Sequence, residues 1–110
     1  MADRRAALCA WAAALGLLLP VAARAEPPAP DAARLGRIYV QTCMACHTSP
    51  GSGAPQAGDR AAWEPRLQQG ADVLLQHTID GYKGMPPLGS CMDCTEAEFD
   101  GLIRFMAGGS

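Results

Sequence analysis

Cys43-Met44-Ala45-Cys46-His47 decides how this chain of 110 residues is read. The stretch has the pattern Cys-x-x-Cys-His, the attachment signature of a c-type haem. Two cysteines spaced this way at the end of a helix reach both vinyl groups of one porphyrin and form thioethers with them. The adjacent histidine then lies under the iron and can coordinate it through a ring nitrogen. A bare Cys-x-x-Cys also occurs in thioredoxin-like and zinc sites, but neither needs the following histidine, and both are set in strand-rich or paired contexts.

Working outward, the residues upstream of the motif have helical spacing. Asp31 is placed to cap, and Leu35, Ile38, Tyr39 and, one position off, Thr42 line one face, which predicts a short amphipathic helix ending near Cys43. Downstream, residues 48–60 are rich in glycine and proline and read as loop. A short helix interrupted by Pro65 is expected over 61–69, and a clearer one over 71–82, with Asp72 in its first turn and Gly81 and Gly84 to stop it. Residues 83–94 read as loop again. Thr95-Glu96-Ala97-Glu98 then matches a capping box opening a helix through Phe99, Leu102, Ile103 and Met106. No alternating strand pattern or internal repeat appears. The class is therefore all-α, three or four short helices and long loops over 31–110, wrapped around one covalently bound haem. So small a fold with so few helices buries too little by itself, and the haem supplies the missing core.

The beginning of the chain reads as an address. Arg4-Arg5 precedes an apolar run from Ala6 to Leu19, then Pro20 and the small-x-small triplet Ala23-Arg24-Ala25, the three parts of a secretory signal cleaved after residue 25. The run is shorter than the roughly 20 residues needed to cross a bilayer, so no stable membrane span is expected after cleavage. Residues 26–30, with three prolines, form an extended tether. Cys9 departs with the signal, leaving four cysteines as two close pairs in a bacterial periplasm that permits disulfides. Formal net charge is −2 for the whole chain, and residues 26–110 carry six basic and ten acidic side chains, which argues against a nucleic-acid partner and hints at basic docking surfaces on partners.

The iron's second axial position has several candidate donors. Met85 is the strongest, in Gly84-Met85-Pro86-Pro87, where glycine allows close approach and the prolines stiffen the loop. Met44 is confined beside the attachment cysteines, Met92 lies inside a tight cysteine loop, and Met106 falls on the core face of the last helix. His77 is the serious rival, since imidazole binds iron well, although a lone helical histidine is usually a surface residue. Cys91-Met92-Asp93-Cys94 lacks the following histidine, so it is no second haem site. Outside the cytoplasm it reads as a small disulfide, with a dithiol switch as the alternative. Trp63, Tyr39 and Tyr82 either line the haem or fill core. Lys83 and Arg66 either pair with propionates or are solvated, and Pro55 is placed to offer its carbonyl to the outer N–H of His47 or is an ordinary loop proline.

Together these residues resemble class I cytochrome c, and within it the short bacterial cytochrome c-five subgroup. The resemblance runs from about Gly36 to Met106, through Ile38-Tyr39, the haem motif, Gly53-Ala54-Pro55, Gly58-Asp59, Trp63-Glu64-Pro65-Arg66, Gly70, Met85-Pro86-Pro87 and Gly89-Ser90-Cys91-Met92-Asp93-Cys94. It implies a haem-wrapping fold with crossed terminal helices, a His/Met iron, a disulfide at the second cysteine pair, and electron carriage. One departure stands out: the family usually has glycine eight residues before the first haem cysteine, where the terminal helices touch. Here Leu35 holds that position, with glycine one later at Gly36. The expected function is a periplasmic monohaem one-electron carrier between redox proteins, not an enzyme, docking through an exposed haem edge. The alternatives are a haem-bearing subunit of a larger oxidoreductase, a gas-sensing haem protein and, last, a thiol-disulfide oxidoreductase acting through Cys91 and Cys94.

Overall fold

The computed structural model describes residue 25 and residues 28–108. The expected signal, apart from Ala25, lies outside the described residues, as do the first two residues of the tether. The first helix, α1 (Ala32–Ile38), starts where Asp31 accepts hydrogen bonds from the backbone N–H groups of Ala33 at 3.3 Å and Arg34 at 3.1 Å. It does not stop near Cys43. A π turn (Tyr39–Cys43) continues into α2 (Met44–His47), and the Met44 N–H donates to the Tyr39 carbonyl five residues back. The wider turn absorbs one residue, which accounts for the slip in apolar spacing at Thr42 and keeps Thr42 and Cys43 half-buried. The Thr42 hydroxyl donates to the Ile38 carbonyl at 2.9 Å on the same turn.

The glycine-rich stretch that follows is not all irregular, since Pro50–Ser52 closes a 3-10 turn. Next comes α3 (Arg60–Leu67), capped by the Asp59 carboxylate on the Ala62 N–H at 3.1 Å. Pro65 does not interrupt it. The proline removes only the bond to the carbonyl of exposed Ala61, which water can satisfy. After Gly70, α4 (Ala71–Asp80) runs to Gly81, whose φ of 82° ends it. The expected loop over 83–94 also contains a 3-10 turn, Pro87–Ser90. The predicted capping box opens α5 (Glu96–Met106): the Glu98 N–H donates to Thr95 Oγ1 at 3.3 Å and the Thr95 N–H to Glu98 Oε2 at 2.8 Å.

Two apolar clusters hold the helices together. One joins Trp63, Leu74, Ile103, Met106 and Ala107; the other joins Ile38, Cys91, Phe99 and Leu102. Cys43 and Tyr39 pack against both, so the haem-motif helix is the seam between them. Burying a side chain such as Phe99 or Leu102 is worth roughly 1.5–3 kcal/mol. Yet no described side chain is sealed to below 2% exposure.

The substitution at Leu35 is answered on the other helix. A Cβ placed on Gly101 of α5 would meet Leu35 Cδ1 at 3.0 Å, whereas one on Gly36 would meet nothing within 4 Å. The leucine is the knob and Gly101 the hole, so α1 and α5 still approach closely. Arg34 of α1 adds an ion pair with the buried Glu98 of α5 and a longer one, at 3.6 Å, with exposed Asp93.

Candidate haem site

The motif presents its three chemical groups on one helical stretch. Cys43 is half-buried, Cys46 is exposed, and both thiols are free. Burial pushes the Cys43 thiol up from its ordinary value, partly offset by the Thr42 hydroxyl at 3.4 Å. His47 is buried at 7% exposure, and its Nδ1 lies 2.8 Å from the Pro55 carbonyl oxygen. A carbonyl can only accept, so Nδ1 carries the proton and donates. The other ring nitrogen, Nε2, is left as a lone pair for a metal.

The loop after the motif is shaped around this histidine. The Ala57 N–H donates to the His47 carbonyl at 2.7 Å. Trp63 stacks on the imidazole, with ring centroids 5.9 Å apart and planes 23° from parallel, and its indole N–H donates to the Gln56 carbonyl at 2.9 Å. The Gln56 side chain, which the sequence did not single out, donates to Ala54 O at 2.8 Å and Ser49 O at 3.2 Å, while the Ser52 hydroxyl donates to Cys46 O at 2.7 Å. No residue-type pattern marks Gln56 in advance, because its role depends on where three backbone carbonyls converge.

Met85 is half-buried at the end of a tight reversal, Tyr82-Lys83-Gly84-Met85, closed in both directions: the Tyr82 N–H donates to Met85 O at 3.0 Å and the Met85 N–H to Tyr82 O at 2.9 Å. Its rivals are placed otherwise. Met44 is 37% exposed and Met92 79% exposed, while Met106 is buried in the first cluster. His77 is not a plain surface side chain. It stacks on the Tyr82 ring with centroids 3.9 Å apart and 14° between planes. Tyr82 is 44% exposed, so it does not fill the protein core, and Lys83 holds its ammonium 5.3 Å from the same ring. Arg66 turns back to the Ala62 carbonyl of its own helix. Cys91 and Cys94 are joined as a disulfide with Cα atoms 5.5 Å apart, and Cys91 is only 5% exposed.

The donor set suits a haem: two unpaired thiols, an imidazole with one nitrogen already committed to a carbonyl, and a thioether on a reversal closed by two backbone hydrogen bonds. The family model described as cytochrome C oxidase, cbb3-type, subunit III, matches residues 30–106. The chain belongs to the cytochrome c family. Among its relatives, cytochrome c-555 of Chlorobaculum tepidum is 39% identical over 84 residues, covering 73% of this chain and 78% of the relative. Cytochrome c5 of Ectopseudomonas mendocina is 42% identical over 73 residues, covering 64% of this chain and 84% of the relative. These make it a class I cytochrome c, an electron carrier. A solved cytochrome c described within an electron transfer complex with nitrite reductase is similar in fold, with a TM-score of 0.59 and 38% identity, over 66% of this chain and 88% of that one. Membership brings haem c binding with it.

Proposed function

We propose that this cytochrome carries a single haem c, held by thioethers from Cys43 and Cys46, with His47 and Met85 as the two axial ligands, and that it shuttles single electrons in the periplasm. The observation that carries the reading is the bond from His47 Nδ1 to Pro55 O at 2.8 Å, on the same helical stretch as two free thiols. When bound, the haem supplies one reversible electron. The chain does the rest. Pro55 fixes the tautomer of His47, Trp63 holds its plane, and the thioether of Met85 would favour the reduced state of a haem held between it and His47, which suits outer-sphere transfer. The basic, apolar and small-residue parts of residues 1–25 and the Cys91–Cys94 disulfide support export. Among the described residues no helix is long and apolar enough to cross a membrane. Redox proteins are the expected partners, a reading supported by the electron transfer complex of the similar structure.

Visible spectra of oxidised and dithionite-reduced protein, with a pyridine haemochrome assay, test the whole reading. One low-spin haem c per chain and no change in the ferrous spectrum under carbon monoxide are expected. Met85→Ala should lose the sulfur-to-iron charge-transfer band and acquire carbon monoxide binding; a colourless mature protein would overturn the reading. The description of the matching family as an oxidase subunit favours one second reading, a haem subunit of a larger oxidoreductase. Size-exclusion chromatography of native extracts separates them, since a free carrier elutes alone at its own small mass.

A further inference from the structure

The segment just after Met85 is held in an unusual backbone. Leu88, Gly89 and Ser90 have φ of 59°, 53° and 64°, three consecutive residues in the left-handed region, two of them carrying a Cβ. L-residues avoid this region because Cβ crowds the following carbonyl, so such a run persists only where its surroundings hold it. Upstream, Gly81 fits under the turn so tightly that a Cβ there would meet Pro87 N at 2.9 Å and Met85 O at 3.0 Å. Downstream, the Cys91 N–H donates to Leu88 O at 2.9 Å, and the disulfide to Cys94 closes immediately behind it. Leu88 and Cys91 both pack into the cluster that contains Ile38, Phe99 and Leu102. The run passes close to the Met85 side chain, since a Cβ added at Gly89 would lie 3.4 Å from Met85 Cε, in ordinary van der Waals contact.

We propose that the Cys91–Cys94 disulfide and the left-handed run Leu88-Gly89-Ser90 form one positioning device for Met85, setting how firmly its thioether is presented to the iron. The inference rests on Met85 being the axial ligand. The bridge clamps the end of the run against α5, and the run in turn backs the methionine side chain. Without the bridge the run relaxes toward ordinary φ values and the backing behind Met85 Cε is lost. The cysteines act through the backbone and do not touch the iron.

The test uses the matured holoprotein with Cys91→Ser and Cys94→Ser combined. The expected result is a lower midpoint potential, a weakened sulfur-to-iron band and at least a tenfold gain in carbon monoxide affinity, with far-UV circular dichroism unchanged. Adding Ser90→Gly, which removes one of the strained Cβ atoms at an exposed position, should restore part of the band and potential. Met85→Ala is the control. If it loses the band while the double serine variant keeps the wild-type potential, band and carbon monoxide response, the positioning role is overturned and the ligand assignment stands. If Met85→Ala keeps the band, the ligand assignment itself fails. A double serine variant that loses the band together with its helical signal, with no recovery from Ser90→Gly, also overturns the proposal, because the bridge would then be only a fold staple.

Discussion

At the scale of single residues, His47 is held from three places, two in the loop that follows it and one on α3. The Pro55 carbonyl accepts from its Nδ1–H, the Ala57 N–H donates to its carbonyl, and Trp63 covers its ring. Trp63→Phe keeps an aromatic face but leaves the Gln56 carbonyl without its indole donor, so a loss of about 1 kcal/mol is expected in chemical denaturation of the holoprotein. Equal midpoints for the two proteins would show that the indole bond contributes nothing. Glu98 makes a second residue-scale prediction. Hydrogen bonding to Arg34, and then the backbone N–H of Thr95, hold its carboxyl down to about 2 from an ordinary 4.5. A depressed carboxylate contributes stability that is complete above about pH 4.5 and is lost as pH falls toward 2. Glu98→Gln should therefore flatten the acid limb of a stability-versus-pH curve across that window, and an unchanged limb would assign the acid sensitivity to other groups.

At the scale of helices, α1 and α5 show how one packing requirement can be met from either side. Their close approach needs a small residue at the crossing, and here it is Gly101 that receives Leu35. An alanine at a helical glycine normally gains up to about 1 kcal/mol from propensity, while overpacking costs about 1–3 kcal/mol. Gly101→Ala should thus lose the propensity gain or become destabilising in the native background, yet stabilise a Leu35→Ala variant. A double-mutant cycle of thermal unfolding checks this, with a coupling of at least about 0.5 kcal/mol expected between touching residues. Strict additivity would mean that the two helices do not meet at this pair. Two helix starts were legible because caps are local: Asp31 and Thr95 each act within three residues, whereas the cap supplied by Asp59 was not singled out. The π turn was not named, although the one-residue slip at Thr42 was its trace.

At the scale of the whole molecule, a short chain with many glycines and prolines organises, among its described residues, two small clusters in which no side chain is sealed completely. So small a core is expected to need a prosthetic group to complete it. Cys43→Ser combined with Cys46→Ser, which prevents covalent attachment, should leave a chain without cooperative thermal unfolding and without near-UV circular dichroism. A sharp melting transition in that variant would show that the polypeptide folds unaided.

What the sequence marked by itself was the set of motifs carried by short spacings. Cys43, Cys46 and His47, the capping box at Thr95, the close pair Cys91 and Cys94, and the glycine- and proline-flanked Met85 all declare themselves within a few residues, because thioether spacing, capping and turn formation are local. Tertiary structure decided the rest: Leu35 seated on Gly101, Arg34 on Glu98, His77 on Tyr82 in place of a free surface, and the carbonyls of Pro55 and Gln56 turned toward His47 and Trp63. Most of these pairings join separate elements, and the closer ones depend on how a loop turns back. Each is set by which faces the fold brings together, and residue type alone does not carry that information.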